Sequence, residues 1–126
     1  MRAVDTNVIV RLMARDDLRQ VEIAEKFIVG GAWVSLLVLA EAMWVLSSTY
    51  DRDSTDISNF VEMLMHHEHF VLQDPDLVAA ALRAFRSKPS VGFTDYLVLE
   101  LARRTGHLPL GTFDRNLGKL EGTERP

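Results

Sequence analysis

The chain of 126 residues contains no cysteine. Disulfide frameworks and thiolate metal sites are therefore excluded, the fold must rest on packing, and a reducing compartment is permitted. A membrane-spanning run is also missing: the longest apolar stretch, Ala32 to Leu46, is interrupted by Ser35 and Glu41 and falls short of the roughly 20 residues a bilayer requires. Asp5 stands where a secretory leader needs its apolar segment, so a cytoplasmic location is expected. Neither a Walker lysine loop nor a dinucleotide glycine fingerprint occurs. Basic residues are scarce in one region. From Gly31 to Leu82, Arg52 stands alone against eight acids, whereas from Arg83 onward eight bases face five acids. A formal charge of −4 by itself disfavours a polyanionic ligand, yet the late basic residues could guide one; a solvated mixed surface is the alternative.

The length suits a single domain over residues 1–126 with one core. Ala3-Val4 begins a short strand, and Thr6 or Asn7 is placed to cap a helix carrying Ile9, Leu12 and Met13. A second helix follows Asp16-Asp17, with Val21, Ala24, Phe27 and Ile28 on one face and Gly30-Gly31 as its stop. After a strand at Trp33 to Ser35, the segment Leu36 to Tyr50 reads as a helix apolar on nearly every side, expected to lie beneath other elements. Ile57, Phe60, Val61, Leu64 and Met65 repeat at helical spacing, and Phe70 to Leu72 follows as a strand. Asp74-Pro75 starts a helix with a face of Leu77, Val78, Ala81, Leu82 and Phe85. Thr94 is expected to cap another helix reaching Arg104, with Gly106 as terminator. Leu108 to Phe113 is the last clear strand. Strands separated by helices imply a three-layer α/β/α domain around a mostly parallel sheet of four or five strands.

Four acids stand out against this frame. Asp5 and Asp114 occupy strand-to-helix turns, where ligands collect in open parallel sheets; a helix-capping role is the simpler reading of each. Glu41 lies in the apolar run, where a buried carboxylate needs either an arginine partner or a cation shared with other acids. Asp95 opens a helix, a position that also suits a purely structural charge. Gathered in one pocket, four carboxylates repel one another until a cation enters. With oxygen ligands alone the cation is Mg²⁺ or Mn²⁺, and such a site suits phosphodiester cleavage without a Ser, Cys or His nucleophile. Asn7 and Thr112 are supporting candidates that hold waters or orient the carboxylates, with a cap as the alternative for Asn7. His66-His67-Glu68-His69 ends a helix and has no second cluster to complete a metal shell.

Val4-Asp5-Thr6-Asn7, the apolar run with Glu41, Phe93-Thr94-Asp95-Tyr96-Leu97 and Gly111-Thr112-Phe113-Asp114-Arg115-Asn116-Leu117 resemble, in order and spacing, the acidic motifs of PIN-domain nucleases. Within that family the short chain is most similar to VapC-type toxins of bacterial toxin–antitoxin pairs. The resemblance implies a Mg²⁺- or Mn²⁺-dependent endoribonuclease, usually a homodimer, acting on RNA. It also implies a VapB-type antitoxin that holds the enzyme inactive, with a basic tail residue expected to enter the acidic pocket. One departure is visible, since Leu120 to Pro126 offers no convincing final strand where the family sheet usually has five. Two other readings use the same features: a receiver-like Mg²⁺-binding signalling domain, and a catalytically silent PIN-fold binding module. A receiver would be expected to place a lysine just after a late strand, where this chain has Asp114.

Overall fold

Alternation, which sends successive side chains to opposite faces of a strand, builds the first sheet. The computed structural model describes residues 1–126, and they divide into two compact units, Met1–Pro75 and Asp76–Pro126. In the first unit, β1 (Arg2–Ala3), β2 (Ala32–Val34) and β3 (Phe70–Leu72) form a sheet in the order β1-β2-β3. Both pairings are parallel, with Arg2 opposite Ala32 and Trp33 opposite Val71. Ala32, Val34, Phe70 and Leu72 turn into the core, while Trp33 and Val71 stay partly exposed on the other face.

Parallel strands need long crossovers, and each one here carries two helices. Between β1 and β2 run α1 (Thr6–Ala14) and α2 (Leu18–Ile28); between β2 and β3 run α3 (Leu36–Ser48) and α4 (Ser54–His66). Short polar side chains start all four: Asp5, Asp17, Ser35 and Asp53 each accept a backbone N–H from the first turn. Asp5 itself, not Thr6 or Asn7, caps α1, because Thr6 and Asn7 already lie within the helix. Gly31, at φ +94°, takes the chain out of α2 with its N–H on the Ile28 carbonyl at 2.8 Å, a backbone angle that favours glycine. Arg11 ties the unit together by donating to Gln20 of α2 and, at 2.9 Å, to the Tyr50 hydroxyl beyond α3.

The expectation for α3 requires correction. Its buried residues are Leu39, Ala42, Met43 and Leu46, one stripe at i, i+3, i+4, i+7, while Leu37 is 80% and Trp44 60% exposed. The helix is one-sided in burial although nearly uniform in residue type.

In the second unit, α5 (Pro75–Ser87, its first residue on the boundary) buries Leu77, Val78, Ala81, Leu82 and Phe85, the stripe that the periodicity predicts. Asp74 before it is left-handed (φ 52°) and so lacks the extended backbone usual for an N-cap. The second helix, α6 (Phe93–Arg104), starts from Gly92 rather than Thr94, which lies inside the first turn. Phe85 meets Phe93 and Tyr96 edge-on, with ring centroids 5.9 and 6.3 Å apart, and the Tyr96 hydroxyl donates to the Lys88 carbonyl at 2.7 Å. A second parallel ladder joins β4 (Leu110–Gly111) to β5 (Thr123–Glu124), with Leu110 opposite Thr123. A fifth strand therefore does form, from a segment that shows no strand pattern. The fold is α/β, its five strands paired in parallel as a three-stranded and a two-stranded ladder. No helix is long and apolar enough to cross a membrane.

Candidate active site

The two candidate acids of the first unit stand at the start of α1 and within α3, helices that pack on each other. Asp5 sits just past β1, whose pairing continues through a Val4 N–H to Trp33 carbonyl bond of 3.1 Å. Its Oδ1 accepts the Val8 N–H at 3.2 Å, so one carboxylate oxygen serves the helix and Oδ2 is left for another partner. Asn7 is exposed in the first turn of α1 and does not cap it. Together with Val8 and Arg11 it lines a groove of about 360 Å³ against Ile23 and Phe27 of α2.

Glu41 differs from its expected environment. It is exposed on the outward face of α3, on the stripe shared with Leu37 and Trp44. A hydrated carboxylate loses little solvation, so neither a buried arginine partner nor a shared cation is demanded by burial. Residue type along α3 misled that inference.

In the second unit the turn after β4 is built around Asp114. Its N–H donates to the Thr112 hydroxyl at 3.0 Å, its Oδ1 accepts the Leu117 N–H at 2.7 Å, and its carbonyl accepts the Gly118 N–H at 2.9 Å. Thr112 thus holds the backbone amide of Asp114, whereas the sequence suggests that it holds waters or orients the carboxylates. As at Asp5, one carboxylate oxygen serves the turn and the other does not. Asp95 is half-buried, third in α6, with its carboxylate folded back over Gly92: a Cβ built on Gly92 would lie 3.5 Å from Asp95 Oδ2.

Burial pushes the Asp95 carboxyl above its ordinary range, and the negative charge of Asp114 pushes it further the same way. These two acids are therefore brought within electrostatic reach of each other. The folded state binds the Asp95 proton more tightly than the unfolded chain does. The stability tied to that proton is complete below the ordinary Asp range and is lost as pH rises through the raised value. At neutral pH the ionised carboxylate consequently weighs on the fold. In chelator, Asp95→Asn should raise Tm at neutral pH, a gain that shrinks to nothing as pH falls below the ordinary Asp range. An equal gain at both pH values would trace the effect to the amide's own contacts rather than to charge.

As ligands, these side chains offer only hard oxygen donors, and a divalent cation would relieve the repulsion felt at Asp95. Neither unit by itself gathers three or more His, Cys, Asp or Glu side chains to hold a metal ion. The four candidate acids fall two by two, Asp5 and Glu41 in the first unit, Asp95 and Asp114 in the second. His67, in the cluster set aside on sequence grounds, accepts the His69 N–H at 3.1 Å and rests its ring 5.0 Å from Phe70. Phe113, inside the last acidic motif, carries no signal of its role in periodicity or charge, yet it is 71% exposed. A large aromatic directly before an acid at a strand end was the available signal.

No curated protein matches the chain. The family model of the PIN domain matches residues 2–122, from the first residue of β1 to the residue before β5, and so spans both units. PIN domains are generally nuclease domains that use divalent metal ions, in keeping with an oxygen-only donor set, and this match replaces the receiver-like reading. By the extent of that match, the chain belongs to the PIN-domain family.

Proposed function

We propose that the chain is a Mg²⁺- or Mn²⁺-dependent endoribonuclease, the toxin of a VapBC-type pair, acting on cytoplasmic RNA through Asp5, Glu41, Asp95 and Asp114. The observation that carries this reading is the Asp95–Asp114 pair, in which burial first and the Asp114 charge second disfavour the ionised Asp95 carboxylate, a cost that a cation would relieve. When bound, the metal supplies positive charge at the phosphate and lowers the pKa of the attacking water. The protein's share is positional. Thr112 and the Leu117 N–H fix Asp114, Val8 fixes Asp5, and Asp95, whose ionised form is disfavoured by burial and by the Asp114 charge, would be a ligand whose charge a cation offsets. Charge distribution supports an RNA substrate on the second unit, where eight basic residues face six acids, against six and twelve in the first. Assembly as a homodimer belongs to the same reading.

The proposed inhibitor is a small VapB-type protein whose tail presents an arginine or lysine to the acids, since a guanidinium or ammonium satisfies a carboxylate as a cation does. The apolar groove between α1 and α2 supports a docking role for the rest of such a tail. One assay tests both parts: cleavage of single-stranded RNA with Mg²⁺ or Mn²⁺, with chelator, and with the co-expressed neighbour protein across a Mg²⁺ titration. Cleavage should need the metal, and inhibition should weaken as Mg²⁺ rises. Undiminished cleavage in excess chelator would overturn the metal-dependent mechanism; inhibition of constant potency at every Mg²⁺ concentration would move the inhibitory contact away from the acids.

A further inference from the structure

Phe113 is the most exposed of the Phe, Trp and Tyr side chains, at 71%, with Trp44 next at 60%. Its backbone is held on both sides. Thr112 takes the Asp114 amide on its hydroxyl, and Asp114 takes the Leu117 amide on Oδ1. The ring is thus displayed from an ordered turn beside the Asp95–Asp114 pair. A second side chain reaches it from far along the sequence. The Thr112 N–H donates to the Glu124 carbonyl at 3.0 Å, which extends the β4–β5 pairing and brings the next residue, Arg125, alongside. The Arg125 guanidinium lies 5.9 Å from the centroid of the Phe113 ring. Pro126 lies over Gly111, where an added Cβ would come 3.6 Å from its ring.

We propose that Phe113 and Arg125 form a platform for single-stranded RNA, the ring stacking a nucleobase and the guanidinium meeting a flanking phosphate, so that the strand is positioned beside Asp114. The inference rests on the RNA-cleaving reading above. Each half of the chemistry has its partner here. An aromatic face accepts any base, since every base has a π-face, and a neighbouring cation tracks the backbone. The intramolecular contact leaves both groups available: 5.9 Å is the outer edge of cation–π range, and most of the ring remains in water. The polar setting of the ring fits RNA better than a protein partner. Thr112, Asp114 and Arg115 flank the ring in sequence and Arg125 joins it across the ladder, whereas the central residues of a protein interface are depleted of charge. Phe113 and Arg125 are positioning residues in this scheme; the acids do the chemistry.

The test is the affinity of a dye-labelled single-stranded oligoribonucleotide, followed by anisotropy in chelator at low ionic strength, together with cleavage by the same proteins in Mg²⁺. Phe113→Ala should weaken binding about 5- to 100-fold for one lost stacking contact. Phe113→Trp should retain affinity and show indole quenching on titration, above the background of Trp33 and Trp44. An oligonucleotide with abasic positions throughout should bind wild type and Phe113→Ala alike. Arg125→Ala should flatten the dependence of log Kd on log salt by about 0.7, the share of one phosphate contact on a single strand. Because Phe113 is exposed, Tm should hold in both Phe113 variants, and Phe113→Trp keeps the test informative if the alanine variant folds poorly. Equal affinity of wild type and Phe113→Ala for the intact oligonucleotide, with wild type cleaving RNA normally, would overturn the platform alone. A wild type that neither binds nor cleaves RNA would overturn the underlying reading and the platform with it. A change of oligomeric state in Phe113→Ala with RNA affinity unchanged would make the ring a protein contact instead.

Discussion

Asp114→Asn should cost more than the roughly 10- to 100-fold in cleavage that follows loss of a group merely hydrogen-bonded to a metal ligand, while Tm in chelator does not fall. The two halves of this result have different origins. Asparagine keeps an oxygen where Oδ1 accepts the Leu117 N–H at 2.7 Å, and asparagine and aspartate cap about equally well. What disappears is the charge, and with it the competence of the second oxygen as an anionic ligand. Asp114→Ala separates the halves, because it should lose activity and also about 1 kcal/mol of capping stability. A third readout is the Asp95 carboxyl followed by carbon NMR. With the Asp114 charge removed, its titration should move back toward the ordinary range, leaving only the burial contribution. Full activity in Asp114→Asn would take this residue out of the site, and an unmoved Asp95 titration would mean that the two carboxylates do not communicate.

A second large effect, on stability, is expected on α3. Leu46 is 0% exposed and closes the buried stripe of that helix, so Leu46→Ala should cost about 2–5 kcal/mol from lost burial and the cavity left behind. Leu37→Ala on the same helix removes the same atoms from a side chain that is 80% exposed and should stay within about 0.5 kcal/mol of wild type. Urea unfolding measures both. Comparable losses at the two positions would show that Leu37 is covered in solution, for which the homodimer of the proposed reading would be the first explanation to test.

That pair of leucines also marks where sequence reading succeeds and fails. In α5 the apolar residues are separated by polar ones, so period alone picks out Leu77, Val78, Ala81, Leu82 and Phe85, and these are the residues buried. In α3 nearly every position is apolar, the period carries no information, and the inference that Glu41 must be buried fails with it. Helix starts were legible to within a residue or two, but which polar side chain caps depends on where the backbone turns helical. Asp5 caps in place of Thr6 or Asn7, and Gly92 precedes α6 where Thr94 was expected. Thr123–Glu124 shows no strand pattern because two residues are too few for alternation, and its pairing with Leu110–Gly111 is a tertiary event. At the site, residue identities and order in the motifs pointed to the acids. The electrostatic link between Asp95 and Asp114 needed the fold, as did the placing of Arg125 against Phe113.

The turn-building role of Asp5 and Asp114 has a genetic side. Aspartate and asparagine codons differ by a single base, and at Asp5 and Asp114 either residue can receive the backbone amide that the turn presents. One transition therefore erases the charge without erasing the architecture. The route from a charged site to an uncharged one is short and leaves the fold standing, and only contacts that do not draw on that charge would survive the change.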